Sequence, residues 1–372
     1  MSVKPFFRAD QVGSLLRPKE LLDARARFAA GDISGDELEK IEDAAIVDCI
    51  RMQEDAGLPS ITDGEFRREN WWIYFIGAME GVEITDPSAD SAFQDSHDHG
   101  GVYLPKGVKT TGRVAGGGDI MRDHYAFIRA NTDRTPKITL PSPTRMVYHG
   151  GRSVVDEDVY PSMDDFWSDV ATVYRSEIAG LEAQGCNYIQ IDDPVLTYFL
   201  DERIRAEMRS DGIDPDEQLG IYTDAINACI SDRSADTYLS LHLCRGNAAS
   251  QWNAEGGYDR FAESIFPKMN VDAWFLEYDD DRSGGFEPLQ HMPDGRRVVL
   301  GLVTTKTGRK EDPAEIKARI AEASKYVPME NLALSPQCGF ASIDAGNTIS
   351  FEDEAAKLKF VADVAAEIWE DA

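Results

Sequence analysis

The chain holds 372 residues, with 38 Lys and Arg against 67 Asp and Glu, a formal charge of −29. So acidic a surface repels nucleic-acid phosphates and anionic lipid, and no apolar run approaches the roughly 18 residues of a membrane span, which excludes DNA-binding and membrane roles. Hydrophobic residues make up 42% and charged ones 28%, a globular rather than a disordered composition.

Most of the negative charge reads as a solvated surface. Residues 1–7 carry no secretory signal. The 5 cysteines, Cys49, Cys186, Cys229, Cys244 and Cys338, are too scattered for a disulfide framework. They suit a reducing cytoplasm, where thiols are buried, reactive or metal-bound.

Eight strand-sized apolar runs follow in order, each closed by polar residues. They end in Val12-Gly13-Ser14, Ile61 to Glu65, Ile138 to Ser142, and Tyr188 to Asp193. The others are Tyr238 to Cys244, Ala273 to Glu277, Val298 to Val303, and Leu332 to Cys338. Continuous apolar runs, rather than alternation, predict strands buried on both faces of a parallel sheet. Helix-period segments lie between them. Ser162 opens one with Phe166, Val170, Val173 and Leu181 on its stripe. Asp312-Pro313 and a capping-box Glu315 open a second, and Ser350 opens the last. The pattern predicts one (β/α)8 TIM barrel over residues 1–372. Residues 77–135 break the rhythm and read as an insertion after the second strand, a hairpin or lid with little helical period.

Barrel enzymes carry their chemistry at the C-terminal strand ends. There this chain presents Ser14, Asp63, Glu65, Asp192, Asp193, His242, Cys244, Glu277 and Cys338. Residues 242 and 244 point the same way on an extended strand, about 6.6 Å apart. With Glu277 and Cys338 they make a tetrahedral zinc set, softer than magnesium or calcium would choose. Cys49, Cys186 and Cys229 read as core thiols.

The segments around Gln11-Val12-Gly13-Ser14, Ile189-Gln190-Ile191-Asp192-Asp193-Pro194, His242-Leu243-Cys244, Leu276-Glu277 and Pro336-Gln337-Cys338-Gly339 resemble the catalytic domain of cobalamin-independent methionine synthase. The resemblance runs from about residue 8 to the C-terminus. Asp63-Gly64-Glu65-Phe66-Arg67-Arg68 and Trp71-Trp72 place the chain closest to the short, single-barrel branch. It implies Zn2+ on His242, Cys244, Glu277 and Cys338, and methyl transfer to a zinc-bound thiol. The expected reaction passes a methyl group from a 5-methyltetrahydrofolate-type donor to homocysteine, giving methionine. Asp192 would meet the amino acid's ammonium group, Val12, Gly13 and Ser14 its carboxylate, and Tyr148 the donor's pterin. Arg67 and Arg68 would bind an anionic tail.

Two positions depart from the family. A second ammonium-binding glutamate aligns with Ile73, and a proton-donating histidine aligns with Lys306. Both keep alternatives open: a methyl-corrinoid donor, or another small thiol such as a sulfonate-bearing one. A third is a non-catalytic module holding zinc or a thiol metabolite, against which the four-donor set and Asp192 argue. A homo-oligomer is left open. Other motifs fall away. Gly116-Gly117-Gly118 lacks dinucleotide spacing, Gln290 stands where an EF-hand beginning at Asp279 needs its glutamate, and His97 and His99 lack further soft donors.

Overall fold

In chain order the strands are β1 (Ser60–Ile61), β2 (Glu80–Thr85), β3 (Gly107–Ala115), β4 (Thr135–Pro136) and β5 (Ile138–Pro141). They continue with β6 (Tyr188–Asp192), β7 (Tyr238–Leu243), β8 (Ala273–Glu277), β9 (Arg297–Val303) and β10 (Leu332–Pro336). This computed structural model describes residues 4–86, 106–148 and 150–370. Strands β5 to β10 form one parallel sheet in chain order, and β1 pairs in parallel with β4, which runs through Lys137 into β5.

The N-terminal segment completes the ring. Asp10 N donates to Leu334 O (3.0 Å), and Leu334 N to Arg8 O (2.8 Å). On the other side Thr62 Oγ1 donates to Gly13 O at 2.7 Å and Leu15 N to Gly64 O at 3.0 Å. The eight expected runs thus occupy the ring of a (β/α)8 barrel, although the first makes a single bridge rather than a ladder. Gly13 explains that irregularity. Its φ of 139° turns the chain, and a Cβ there would meet Thr139 Cγ2 at 2.8 Å.

Helical segments follow each strand position. Gly35–Asp55, Arg122–Asn131, Met163–Ala183 and Pro215–Cys229 cover the first half. Asp259–Ala262, a 3-10 turn at Glu287–His291, Pro313–Ala323 and Phe351–Ile368 cover the second. Ser162, Asp312 and Ser350 cap their helices as expected, accepting from Asp164 N, Ala314 N and Asp353 N. The reciprocal capping box forms at Ser34 and Glu37, whereas at Asp312 the aspartate half is the one that forms.

Residues 77–135 contain the antiparallel β2–β3 hairpin, from Glu80↔Ala115 to Thr85↔Gly107. They also contain the helix Arg122–Asn131, which the sequence pattern did not predict. Its buried face is only His124, Tyr125 and Ile128, too short a stripe to show a period. The glycine run is a turn against the helix Met163–Ala183: Gly118 N, Ile120 N and Met121 N all donate to the Glu177 carboxylate. A Cβ on Gly117 would meet Val173 O at 2.5 Å. His97 and His99 lie outside the described residues.

The two ends of the barrel differ. At the N-terminal end Lys137 is buried against Asp10 (3.2 Å) and lies over the Phe275 ring, with Tyr188 and Ser60 also donating to Asp10. Phe6 and Phe7 pack over Tyr188 and Tyr238 and plug this end. The other end is open to chemistry.

One buried carboxyl makes stability pH-dependent. Glu354 accepts from Leu16 N at 2.9 Å, and burial pushes its pKa from 4.5 up to about 8, against the pull of Leu16 N and Arg17. The folded state therefore holds this proton more tightly than the unfolded chain, so the Glu354 contribution to stability falls as pH rises from 4.5 to 8. Glu354→Gln is expected to match wild type at pH 4.5 and below, and to exceed it above pH 8 by up to about 5 kcal/mol, the full worth of that shift. Urea unfolding at the two pH values measures this; a variant less stable at high pH would contradict it.

Candidate active site

Parallel register places Asp192, at the end of β6, beside His242 near the end of β7. Cys244 follows two residues later on the same side of the strand, and Cys338 follows β10. One ligand atom from each of His242, Cys244 and Cys338 lies within 4.8 Å of the others, and all three side chains are buried. Among the described residues this is the one such group.

The three side chains are electrostatically linked. The Cys338 thiol is held well below the usual range, chiefly by the hydrogen bond from Cys244, with His242 and Lys306 helping against burial. Cys244 is pushed well up by the same bond and by burial. Burial would lower His242, but Cys338, Asp192 and Glu277 outweigh it and raise the imidazole. Neither ring nitrogen of His242 makes a well-formed hydrogen bond, although both are buried. Two sulfurs and an orphaned imidazole fit a soft divalent ion, zinc above all.

Glu277, the expected fourth ligand, closes β8 outside that 4.8 Å group. Its Oε2 accepts from Arg245 N (2.9 Å) and its Oε1 from Arg282 Nε (2.8 Å). Burial would raise this carboxyl, but Arg282, Arg245 and Lys306 hold it below its ordinary value. Arg282 also pairs with Asp279 and Asp280, so the acidic run there folds around this one guanidinium.

The cavity beside the three donors is lined by Val12, Ser14, Glu65, Asp192 and Tyr148 among others. Gln190 Nε2 ties the strand end together, donating to Val12 O and Asp192 Oδ1, both at 2.7 Å. Burial, with Glu65 adding repulsion, pushes Asp192 up to about 7 against the pull of His242. Glu65 is the second carboxylate of the cavity. It sits in the left-handed region at φ 64°, with Asp63 Oδ1 accepting its N–H at 2.9 Å. Thr139 and Arg68 hold its Oε1, while its buried Oε2 has no hydrogen-bond partner.

Other expected positions lie elsewhere. Ile73 starts the helix Ile73–Gly77, packs on the core and does not line the cavity. Arg67 turns to Asp43 and Glu42 and covers the Phe127 ring, away from the cavity. Arg68 stands behind Glu65, donating to Thr139 Oγ1 and O at 3.0 Å each. Lys306 Nζ donates to Gly246 O (3.2 Å), Asn247 Oδ1 (3.3 Å) and Gln251 O (3.5 Å), which supports the loop carrying Asn247. Sequence reasoning missed Arg145 and Tyr198. Both lie in four-residue helical turns just after strands, Pro143–Met146 and Val195–Tyr198, too short to show a period, and their signal was only the position past a strand end.

Position and donor chemistry together are those of a barrel enzyme with a group of side chains able to hold a metal, and the comparisons with known proteins agree on the enzyme class. Residues 7–366 match the family model of the cobalamin-independent synthase catalytic domain, and the chain belongs to that family. A Bacillus subtilis protein, YxjG, whose activity is uncharacterised, is 41% identical over 98% of this chain and 96% of its own. The solved structure of a candidate vitamin-B12-independent methionine synthase from Listeria monocytogenes is 36% identical, covers 99% of each chain, and superposes with a TM-score of 0.77. A 5-methyltetrahydropteroyltriglutamate–homocysteine methyltransferase from Mycolicibacterium paratuberculosis is 26% identical over 96% of this chain, which spans 42% of that protein. The family is of the methionine-synthase type, and its chemistry is methyl transfer. No helix among the described residues is long and apolar enough to cross a membrane.

Proposed function

We propose that this chain transfers a methyl group from a 5-methyltetrahydrofolate-type donor to homocysteine, with zinc held by His242, Cys244 and Cys338. The observation that carries the reading is the convergence of those three buried donors with two carboxylates, Glu65 and Asp192, in one cavity. Zinc at such a set supplies the positive charge that makes a neighbouring thiol acidic enough to react at neutral pH.

Everything else is done by side chains on the chain itself. Asp192 and Glu65 face a cationic ammonium group and orient the amino acid so that its sulfur meets the His242, Cys244 and Cys338 end. Glu65 fills the role expected of a glutamate at position 73, so Ile73 does not argue against homocysteine. Gln190 fixes Asp192, and Thr139 with Arg68 fixes Glu65. Trp71, Trp72, Tyr148 and Tyr198 wall the cavity and exclude water from the reacting atoms. The sulfur lone pair forms the S–CH3 bond while the N–CH3 bond breaks and its electrons return to nitrogen. The proton lost by the thiol balances the one that nitrogen gains. Lys306, held by three acceptors, supports the Asn247 loop in this scheme.

The test is a donor–acceptor matrix with zinc-loaded protein, scored by mass spectrometry. Methionine from 5-methyltetrahydrofolate and homocysteine is the expected product. No methionine, with product from a methyl-corrinoid or from a sulfonate-bearing thiol, would overturn the reading.

A further inference from the structure

Among the described residues, Arg145 is the one Lys or Arg side chain lining the active-site cavity. The other titratable side chains of that lining are Glu65, Asp192 and the three donors His242, Cys244 and Cys338, along with Tyr148 and Tyr198, so Arg145 is the permanent cation apart from the donor group. Arg145 belongs to the 3-10 turn Pro143–Met146 just after β5, and it is 5% exposed. Its guanidinium carbon lies 3.9 Å from the centroid of the Trp72 ring, closer than any other arginine–aromatic pair among the described residues. Nη2 donates to Lys106 O at 2.9 Å, which anchors one edge of the group. Its charge also acts on Tyr148 and Tyr198, whose rings meet at the same wall with centroids 5.0 Å apart and planes tilted by 53°.

A guanidinium laid flat on an indole is fixed in plane, and its edge is matched to a planar anion such as a carboxylate. Glu65 and Asp192 close the strand ends where the acceptor's ammonium is read, while Arg145, Tyr148 and Tyr198 occupy the loops beyond β5 and β6. We propose that Arg145, stacked on Trp72, is a specificity-determining residue that reads a carboxylate of the methyl donor. The protein then prefers a donor with an intact acidic tail over a bare methylated pterin. This rests on the methyl-transfer reading above and names which substrate meets the cation.

The experiment measures dissociation constants by calorimetry for 5-methyltetrahydrofolate and for a 5-methyltetrahydropterin lacking the aminobenzoyl-glutamate tail. Wild type, Arg145→Gln and Arg145→Lys are compared, with L-homocysteine affinity as the control for an intact cavity. Wild type should favour the tailed donor by about tenfold or more, from a charge-assisted pair in a buried setting. Arg145→Gln should erase that preference, and Arg145→Lys should restore only part of it because the planar stack is lost. Equal discrimination in wild type and Arg145→Gln, with homocysteine binding intact, overturns the proposal alone. So does a variant that instead stops distinguishing homocysteine from 3-aminopropane-1-thiol, because the cation would then serve the acceptor. Failure of wild type to bind any pterin overturns both the proposal and the donor assignment beneath it.

Discussion

Cys338→Ser is expected to lower kcat/KM for thiol methylation by about a thousandfold or more, while leaving the barrel folded. The substitution replaces a soft thiolate with a hydroxyl that stays protonated at neutral pH, so the donor set loses charge and affinity together. Cys338 is also the thiol whose pKa the neighbouring Cys244 and His242 lower. Cys186→Ser is the control. That thiol is buried on the far side of the strand ends, and burial pushes its pKa up to about 12. It should cost some stability and no metal. Loss of activity in both variants with zinc retained in both would contradict the assignment.

Glu65→Gln is expected to raise KM for homocysteine by about thirtyfold or more while changing kcat far less. Glutamine keeps the acceptor that Thr139 Oγ1 uses but removes the charge facing Asp192. The ammonium group is remote from the reacting sulfur, which is why the loss should fall on binding. A thiol without that group, 4-mercaptobutanoate, should bind wild type weakly and the variant about equally. Steady-state kinetics with the two acceptors separate this from a folding defect, since a damaged cavity would weaken both. Asp192→Asn should behave in the same direction.

Much of the fold was legible because buried parallel strands leave continuous apolar runs, and the polar residue ending each run marks the catalytic face. Leu239 to Cys244 shows both signals in six residues. The candidate metal donors were legible for the same reason: His242, Cys244 and Cys338 sit where strands stop. Glu277 was legible as a strand end but not as a partner of Arg282, because that pairing depends on how an irregular loop folds back. Arg67 and Arg68 looked alike in sequence. Their roles diverge because Phe66 and the left-handed Glu65 send one guanidinium to the helix Gly35–Asp55 and the other behind the cavity. Long-range pairing of this kind leaves no local pattern. Arg145 was missed on similar grounds, since its meaning comes from Trp72, far away in the chain.

The acidity of the chain also takes on a specific sense. A formal charge of −29 disfavours an anionic donor at long range, so recognition has to be local. One stacked arginine inside a walled cavity is a local solution, because it acts where water and salt screen least.

Zinc titration of the metal-free protein, with alkylation of each cysteine mapped by mass spectrometry, tests the central assignment most directly. The account predicts one zinc per chain, with Cys244 and Cys338 becoming protected on binding while Cys49, Cys186 and Cys229 react slowly in both states. Zinc uptake that leaves Cys244 and Cys338 as reactive as before would contradict it.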